Sequence, residues 1–294
     1  MEKLIVFLLI GFFAQLLDGS LGMSSGLSST SILLAIGVAP AMASASIHIA
    51  ELATTAASGI SHWKFGNVDK QLVKLLIIPG CIGAFVGATL LSFIPGDIVK
   101  PYISVVLLLI GFYVLYSFTL GKKRIRPKHG RRSKQVKLKK AYIYPMATIA
   151  GFLDSIGGGG WGPVNTPLLI SRSGLKARNV IGSVDASEFA VALSSTAGFL
   201  ISLGASNINW DWAIALAIGG VIAAPLAAFI VKLLPTQVLG VLVGGIIIYA
   251  STNTLVTSWD IIPESMHDAV YASIISLWMY SVLFMVWRIR NKRK

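Results

Sequence analysis

Two pairs of ionisable residues interrupt apolar stretches at matching places in the two halves of the chain: His48-x-x-Glu51 and Asp185-x-x-Glu188. Residues three apart share one face of a helix, so each pair presents two titratable groups together. Burial disfavours the charged form of a carboxyl. Such groups therefore suit the carriage of a proton, or serve as inert hydrogen-bonded ties between helices. His48 and Glu51 alone would supply half of a metal site. The chain has a single cysteine, Cys81, and the counterpart of His48 is an aspartate. No metal and no cofactor is expected.

The second chemical feature is the stretch Asp154-Ser-Ile-Gly-Gly-Gly-Gly-Trp-Gly-Pro-Val-Asn-Thr-Pro167, flanked by apolar runs at 141–156 and 164–170. A glycine costs a helix about 1 kcal/mol relative to alanine and a proline more, so no continuous helix passes through it. Two half-helices meeting at a break are expected. The first half carries a related break, Asp18-Gly-Ser-Leu-Gly-Met-Ser-Ser-Gly26. A helix start offers unpaired N–H groups and a positive dipole end, which bind anions without lysine or arginine. Ser24, Ser25, Gly26, Ser28 and Ser29 on one side, with Gly158, Gly159, Gly160, Trp161, Gly162, Asn165 and Thr166 on the other, form the candidate substrate site. His48, Glu51, Asp185 and Glu188 are the candidate charge- or proton-coupling residues. Asp18 and Asp154 precede the breaks and are read as caps of the following half-helices, as aspartate commonly is, with cation binding as the alternative.

The elements that hold these residues must be membrane helices. The chain is 55% hydrophobic and 13% charged, against about 25% charged in soluble domains. Bare backbone in lipid is tolerated only where it is buried in protein or lines a cavity. Each pair lies about 11 residues into its helix, roughly 16–17 Å deep at the rise of an α-helix, near the middle of a ~30 Å core. The net charge of +13 is local: 11 of the 25 Lys and Arg fall in 121–140 and 5 in 288–294. Concentrated basic loops mark cytoplasmic segments and attract anionic lipid headgroups, so membrane lipids rather than nucleic acid are the expected partners.

The halves align along their length. Asp18 and Gly26 match Asp154 and Gly162 at an offset of 136, the pairs His48/Glu51 and Asp185/Glu188 at 137, and Asn67-Val-Asp69 and Asn207-Ile-Asn209 at 140. The expected fold is an all-α integral membrane protein of two inverted repeats. Each repeat has a re-entrant or broken hairpin followed by three transmembrane helices. The expected units are 1–120, a basic cytoplasmic loop at 121–140, a second repeat at 141–257, and an extra helix with a basic tail at 258–294. The charge distribution predicts an external N-terminus and a cytoplasmic C-terminus in a plasma membrane. Interrupted short helices in matching positions of a duplicated chain point to a transporter's binding site. Gly80, Gly83, Gly87, Gly219 and Gly220 are read instead as helix-packing glycines. His62, His129 and His267 have no partner at ligand spacing and are read as non-catalytic.

The glycine break, the His48-Ile-Ala-Glu51 helix, Phe65-Gly-Asn-Val-Asp69 and Gly182-Ser-Val-Asp185 together resemble the TauE/SafE family of sulfite exporters over nearly the whole chain. The resemblance implies a transporter, not an enzyme, for small sulfur-containing anions such as sulfite, sulfoacetate or related organosulfonates, working in the direction of export and with room for proton coupling. An anion channel or uniporter of the same fold is the alternative, followed by an intramembrane enzyme using His48 and Glu51. The oligomeric state is open, a homodimer included.

Overall fold

A computed structural model describes residues 2–21, 25–119, 140–172, 177–233, 236–260 and 262–291. Most of the basic loop (121–139) and Ser24 lie outside the described residues, as does the side chain of Asp18. Among the described residues the chain is helical, with no strand. The order is α1 (Glu2–Leu21), α2 (Ser25–Ala35), α3 (Pro40–Lys64), α4 (Lys70–Phe93), α5 (Gly96–Thr119), α6 (Lys140–Gly157), α7 (Trp161–Arg172), α8 (Ala177–Leu203), α9 (Trp210–Leu233), α10 (Thr236–Trp259) and α11 (Glu264–Asn291). Five helices, lying in α4, α5, α8, α10 and α11, are long and apolar enough to cross a membrane. α3 has the length but carries buried His48 and Glu51.

The two breaks fall where the sequence places them, and the arms on either side differ. α2 and α7 have 11 and 12 residues, too short for a bilayer that takes about 20. α1 and α6 run to 20 and 18 residues, longer than the apolar runs alone imply, because the helices continue through Asp18 and Asp154 before they stop. Turn chemistry repeats along with the motifs. Asp69 caps α4 by accepting from the amides of Gln71 and Leu72, both at 3.0 Å. Its repeat counterpart Asn209 accepts from the amide of Trp212 at 3.2 Å, at the start of α9. Gly66, with φ of 68°, closes α3: its amide and that of Asn67 donate back to the carbonyls of Trp63 and His62. Only glycine takes that left-handed conformation without strain.

Packing exchanges elements between the halves. α1 lies on α9 and α6 on α4; α3 pairs with α8 and α5 with α10. The first two contacts are glycine-mediated. A Cβ on Gly11 would strike the backbone of Leu216, and one on Gly219 the backbone of Leu8. In the reciprocal pair Gly83 faces the backbone of Thr148, and Gly151 that of Gly80. Small residues permit this close approach in lipid, where no hydrophobic force drives helices together. The outside is correspondingly apolar, with Phe93, Leu109, Ile201, Leu277 and Tyr280 all exposed. Such a continuous apolar exterior belongs in hydrocarbon, not in water. α11 packs chiefly on α10, with Arg288 donating to the Thr119 carbonyl at the end of α5, and is the most exposed of the five spans.

Candidate functional site

The last turn of α6 organises the centre of the molecule. Its terminal carbonyls have no partners within their own helix, and α3 supplies them. His48 Nε2–H donates to the carbonyl of Asp154 at 3.2 Å, and the Ser44 hydroxyl donates to the carbonyl of Ser155. Because a carbonyl oxygen only accepts, Nε2 must carry a proton. The Ser155 hydroxyl donates to Ala84 on α4 and lies 2.7 Å from Ser195 on α8. Four helices are thus fastened to one point at the end of α6.

From that point the Asp154 side chain reaches over the glycines to the next half-helix. Its Oδ1 accepts from the amides of Gly160 and Trp161, both at 3.0 Å. Gly158, at φ of 63°, makes the turn, and its amide donates to the carbonyl of Asp154. The Asp154 side chain is fully buried and its Oδ2 makes no hydrogen bond. His48 Nδ1 lies 2.9 Å from Glu51 Oε2. His48, Glu51 and Asp154 each contribute one ligand-type atom to a cluster whose members all lie within 4.8 Å of one another. None of the three is exposed by more than 2%.

The first break meets the second here. Gly26 opens onto Gly158, since a Cβ on Gly26 would overlap the carbonyl of Gly158 and approach Glu51 Oε1 to 2.8 Å. A Cβ on Gly159 would run into Leu27, and one on Gly160 into the backbone of α6. The Ser25 hydroxyl faces Glu51 Oε1 at 3.5 Å. A cavity of about 20 Å³ lies beside Glu51, lined also by Gln15, Ser25, Ser29 and Thr54. That volume holds one water. Further along α7, Asn165 and Thr166 are buried with no partner for the Asn165 amide or the Thr166 hydroxyl. Ser28 and Gly162 are buried as well.

The remaining sequence-derived candidates separate. Asp185 faces His62 on α3, with Oδ2 3.9 Å from Nε2. Spacing gave His62 no partner, because its partner is 123 positions away in the other half. Glu188 is buried at 6% exposure on the same helix as Asp185. Trp161 contributes its backbone amide to the Asp154 contact, while its ring is fully buried against Gly80 and its Nε1 donates to the carbonyl of Val184 at 3.0 Å. Trp161→Phe keeps the ring packing and removes that hydrogen bond, while the Val184 carbonyl keeps the Ser187 hydroxyl at 2.7 Å. The expected cost is about 0.5–1.5 kcal/mol, read as a lower melting temperature in detergent with uptake per folded molecule retained. Uptake lost without any melting shift would instead put the indole in the substrate path. The sequence reads Asp154 as a cap, with cation binding as the alternative. Its place beside His48 and Glu51, from 106 and 103 positions away, leaves no trace in residue spacing.

A profile of the family described as Sulfite exporter TauE/SafE matches residues 7–254, which takes in both breaks and all three residues of the cluster. The chain belongs to this family. It is 54% identical over 292 residues to the Probable membrane transporter protein YtnM of Bacillus subtilis (strain 168), covering 99% of this chain and 95% of the relative. A second relative in the same organism, the Probable membrane transporter protein YjnA, is 23% identical over 220 residues, covering 73% and 85%. No solved structure matches. The TauE/SafE membership, with five long apolar helices, makes the chain a multi-pass membrane transporter. The expectation of this family from the glycine break and the His48-Ile-Ala-Glu51 helix is met.

Proposed function

We propose that this TauE/SafE protein is a secondary transporter of small sulfur-containing anions, with sulfite, sulfoacetate and related organosulfonates as the substrate class and export across the plasma membrane as the direction. The observation that carries this reading is the meeting of the two half-helix starts at a buried centre, Gly26 against Gly158. Helix starts aimed at one buried point favour negative charge there through amides and dipole together. The unpartnered Asn165 amide and Thr166 hydroxyl add neutral donors suited to sulfonate oxygens. Ser24, Ser25, Ser28 and the amides of 158–162 complete the set. His48, Glu51, Asp185 and Glu188 are the charge-coupling groups.

The reciprocal packing of α1 on α9 and α6 on α4 supports two repeats inserted in opposite orientation, the arrangement that alternating access uses. The charge distribution supports an external N-terminus and a cytoplasmic C-terminus. A reporter fused at the N-terminus is expected on the outer face, and a cytoplasmic signal would end the inverted-repeat reading. The reading itself is tested by uptake of labelled sulfite and sulfoacetate into proteoliposomes, with and without a pH gradient. Saturable uptake that responds to the gradient is expected. A conductance indifferent to the gradient would make the protein a channel, and no movement of either anion would remove the substrate assignment.

A further inference from the structure

We propose that Asp154 is a tethered competitor of the transported anion: its carboxylate occupies the start of α7 that the anion needs, and a proton taken up by the His48–Glu51–Asp154 cluster releases it. The proposal rests on the reading that the anion binds at the half-helix starts and adds how that site is opened.

Three observations carry it. The first is where the carboxylate comes from. An ordinary cap is the residue just before its helix and bonds to amides two or three positions on. Asp154 sits in the last turn of α6 and reaches amides six and seven positions on, across the glycine turn. It is docked at α7 rather than part of it, so it can leave without unwinding α7. The second is the free half of the carboxylate. Oδ2 is buried without a hydrogen-bond partner, and a carboxylate oxygen of Asp154 lies within 4.8 Å of ligand-type atoms of His48 and Glu51. Capping two amides needs one neutral acceptor oxygen; it does not call for a second buried carboxylate alongside. The third is access. The cavity beside Glu51 has room for a water, Glu51 adjoins His48 at 2.9 Å, and Asp154 completes the row.

The occupant of the cluster is a proton rather than a metal ion. The three ligand-type atoms lie within 4.8 Å of one another, a spacing that an ion could also span, so metal content is one arm of the test below. The 2.9 Å between Nδ1 and Oε2 is a normal length for a charge-assisted hydrogen bond. The titratable groups facing Asp154 are His48 and Glu51, both on α3. α8 presents the Phe199 ring to His48, with centroids 6.2 Å apart, and α2 presents Ser25 to Glu51. The charge balance closes. One proton enters, the carboxylate becomes a neutral acid with a weaker hold on the two amides, and one negative charge from the anion takes its place.

The test is calorimetric binding of sulfoacetate and sulfite to the purified full chain at two pH values, wild type beside Asp154→Asn. Asparagine keeps an acceptor for the two amides and removes the charge. Wild-type affinity is expected to rise about tenfold for each pH unit lowered where one proton is linked to binding. Asp154→Asn is expected to bind tightly at both pH values without that slope. A variant that keeps the slope, or binds more weakly than wild type throughout, overturns the proposal. A second measurement needs no anion: hydrogen exchange at the amides of Gly160 and Trp161, corrected for intrinsic pH dependence. Protection that falls at low pH in wild type and is flat in Asp154→Asn supports release, and protection independent of pH in wild type overturns it. Should neither anion bind any form, the substrate class fails while the exchange result still decides the release step. One tightly held metal per chain, by elemental analysis, would overturn the proton as occupant.

Discussion

His48→Ala will be the most destabilising single substitution at the centre of the molecule, at about 3–5 kcal/mol. The imidazole does three things at once. It donates to the Asp154 carbonyl at the end of α6, it lies 2.9 Å from Glu51, and it stacks on Phe199. Alanine leaves a cavity and takes one of two donors from the Asp154 carbonyl, which keeps the amide of Gly158. It also leaves two carboxyl groups within 4.8 Å of one another with the only basic group of the cluster gone. Breaking a buried ion pair by removing one partner is far costlier than replacing both, so the sign of the remedy is predictable. Glu51→Gln in the His48→Ala background should recover part of the loss, giving a coupling of about 1–3 kcal/mol in a double-mutant cycle. Melting in detergent with wild type, both single variants and the double variant measures it. Additive losses would mean that His48 acts through packing and the Asp154 carbonyl, with no electrostatic tie to Glu51.

How much of this was open to a reader of the sequence depends on the distance over which each feature acts. The breaks at Ser25 and at Gly157–Gly160 are local consequences of backbone preference and were legible. The match of Asn67-Val-Asp69 to Asn207-Ile-Asn209 was legible as well, but not that Asp69 and Asn209 cap the helices after them. The pairing of His48 with Glu51 is an i,i+3 relation and follows from helix geometry. What spacing cannot carry is the face on which two helices meet. Asp154 comes to His48 because α6 ends against α3, and α6 ends there because Gly83 and Gly151 draw it onto α4. Asp185, matched to His48 by the repeat, pairs instead with His62. The matched positions agree only in part: Glu51 and Glu188 are both buried, whereas Asp185 is half-buried where His48 is fully enclosed, and their neighbours differ. Trp161 reads from sequence as a candidate for the site because it follows the glycines. The void beside Gly80 that takes its ring belongs to another helix.

Adding one methyl group at Gly26 or at Gly158 will separate the two half-helix starts and abolish uptake, whereas the same change at Gly157 will be tolerated. The three glycines look alike in sequence and meet different surroundings. A Cβ on Gly26 overlaps the Gly158 carbonyl, and backbone on both sides leaves no flexible side chain to yield. A Cβ on Gly158 overlaps the Thr30 hydroxyl and must also adopt φ of 63°. Overpacking costs about 1–3 kcal/mol and the left-handed backbone another 1–2 kcal/mol or so. Each of these variants should therefore melt lower as well as transport less. At Gly157 the nearest atom is a methyl of Leu107 at 3.4 Å, ordinary van der Waals contact. Alanine there also favours the last turn of α6 by up to about 1 kcal/mol. The comparison separates two roles for the glycine run. If close contact between the breaks is what matters, Gly157→Ala stays active while its neighbour does not. If transport needs the run to flex between two shapes, stiffening it at Gly157 should be as damaging as at Gly158, although the static contacts give no reason for it. Equal losses at both positions would move the function of the glycines from contact to motion.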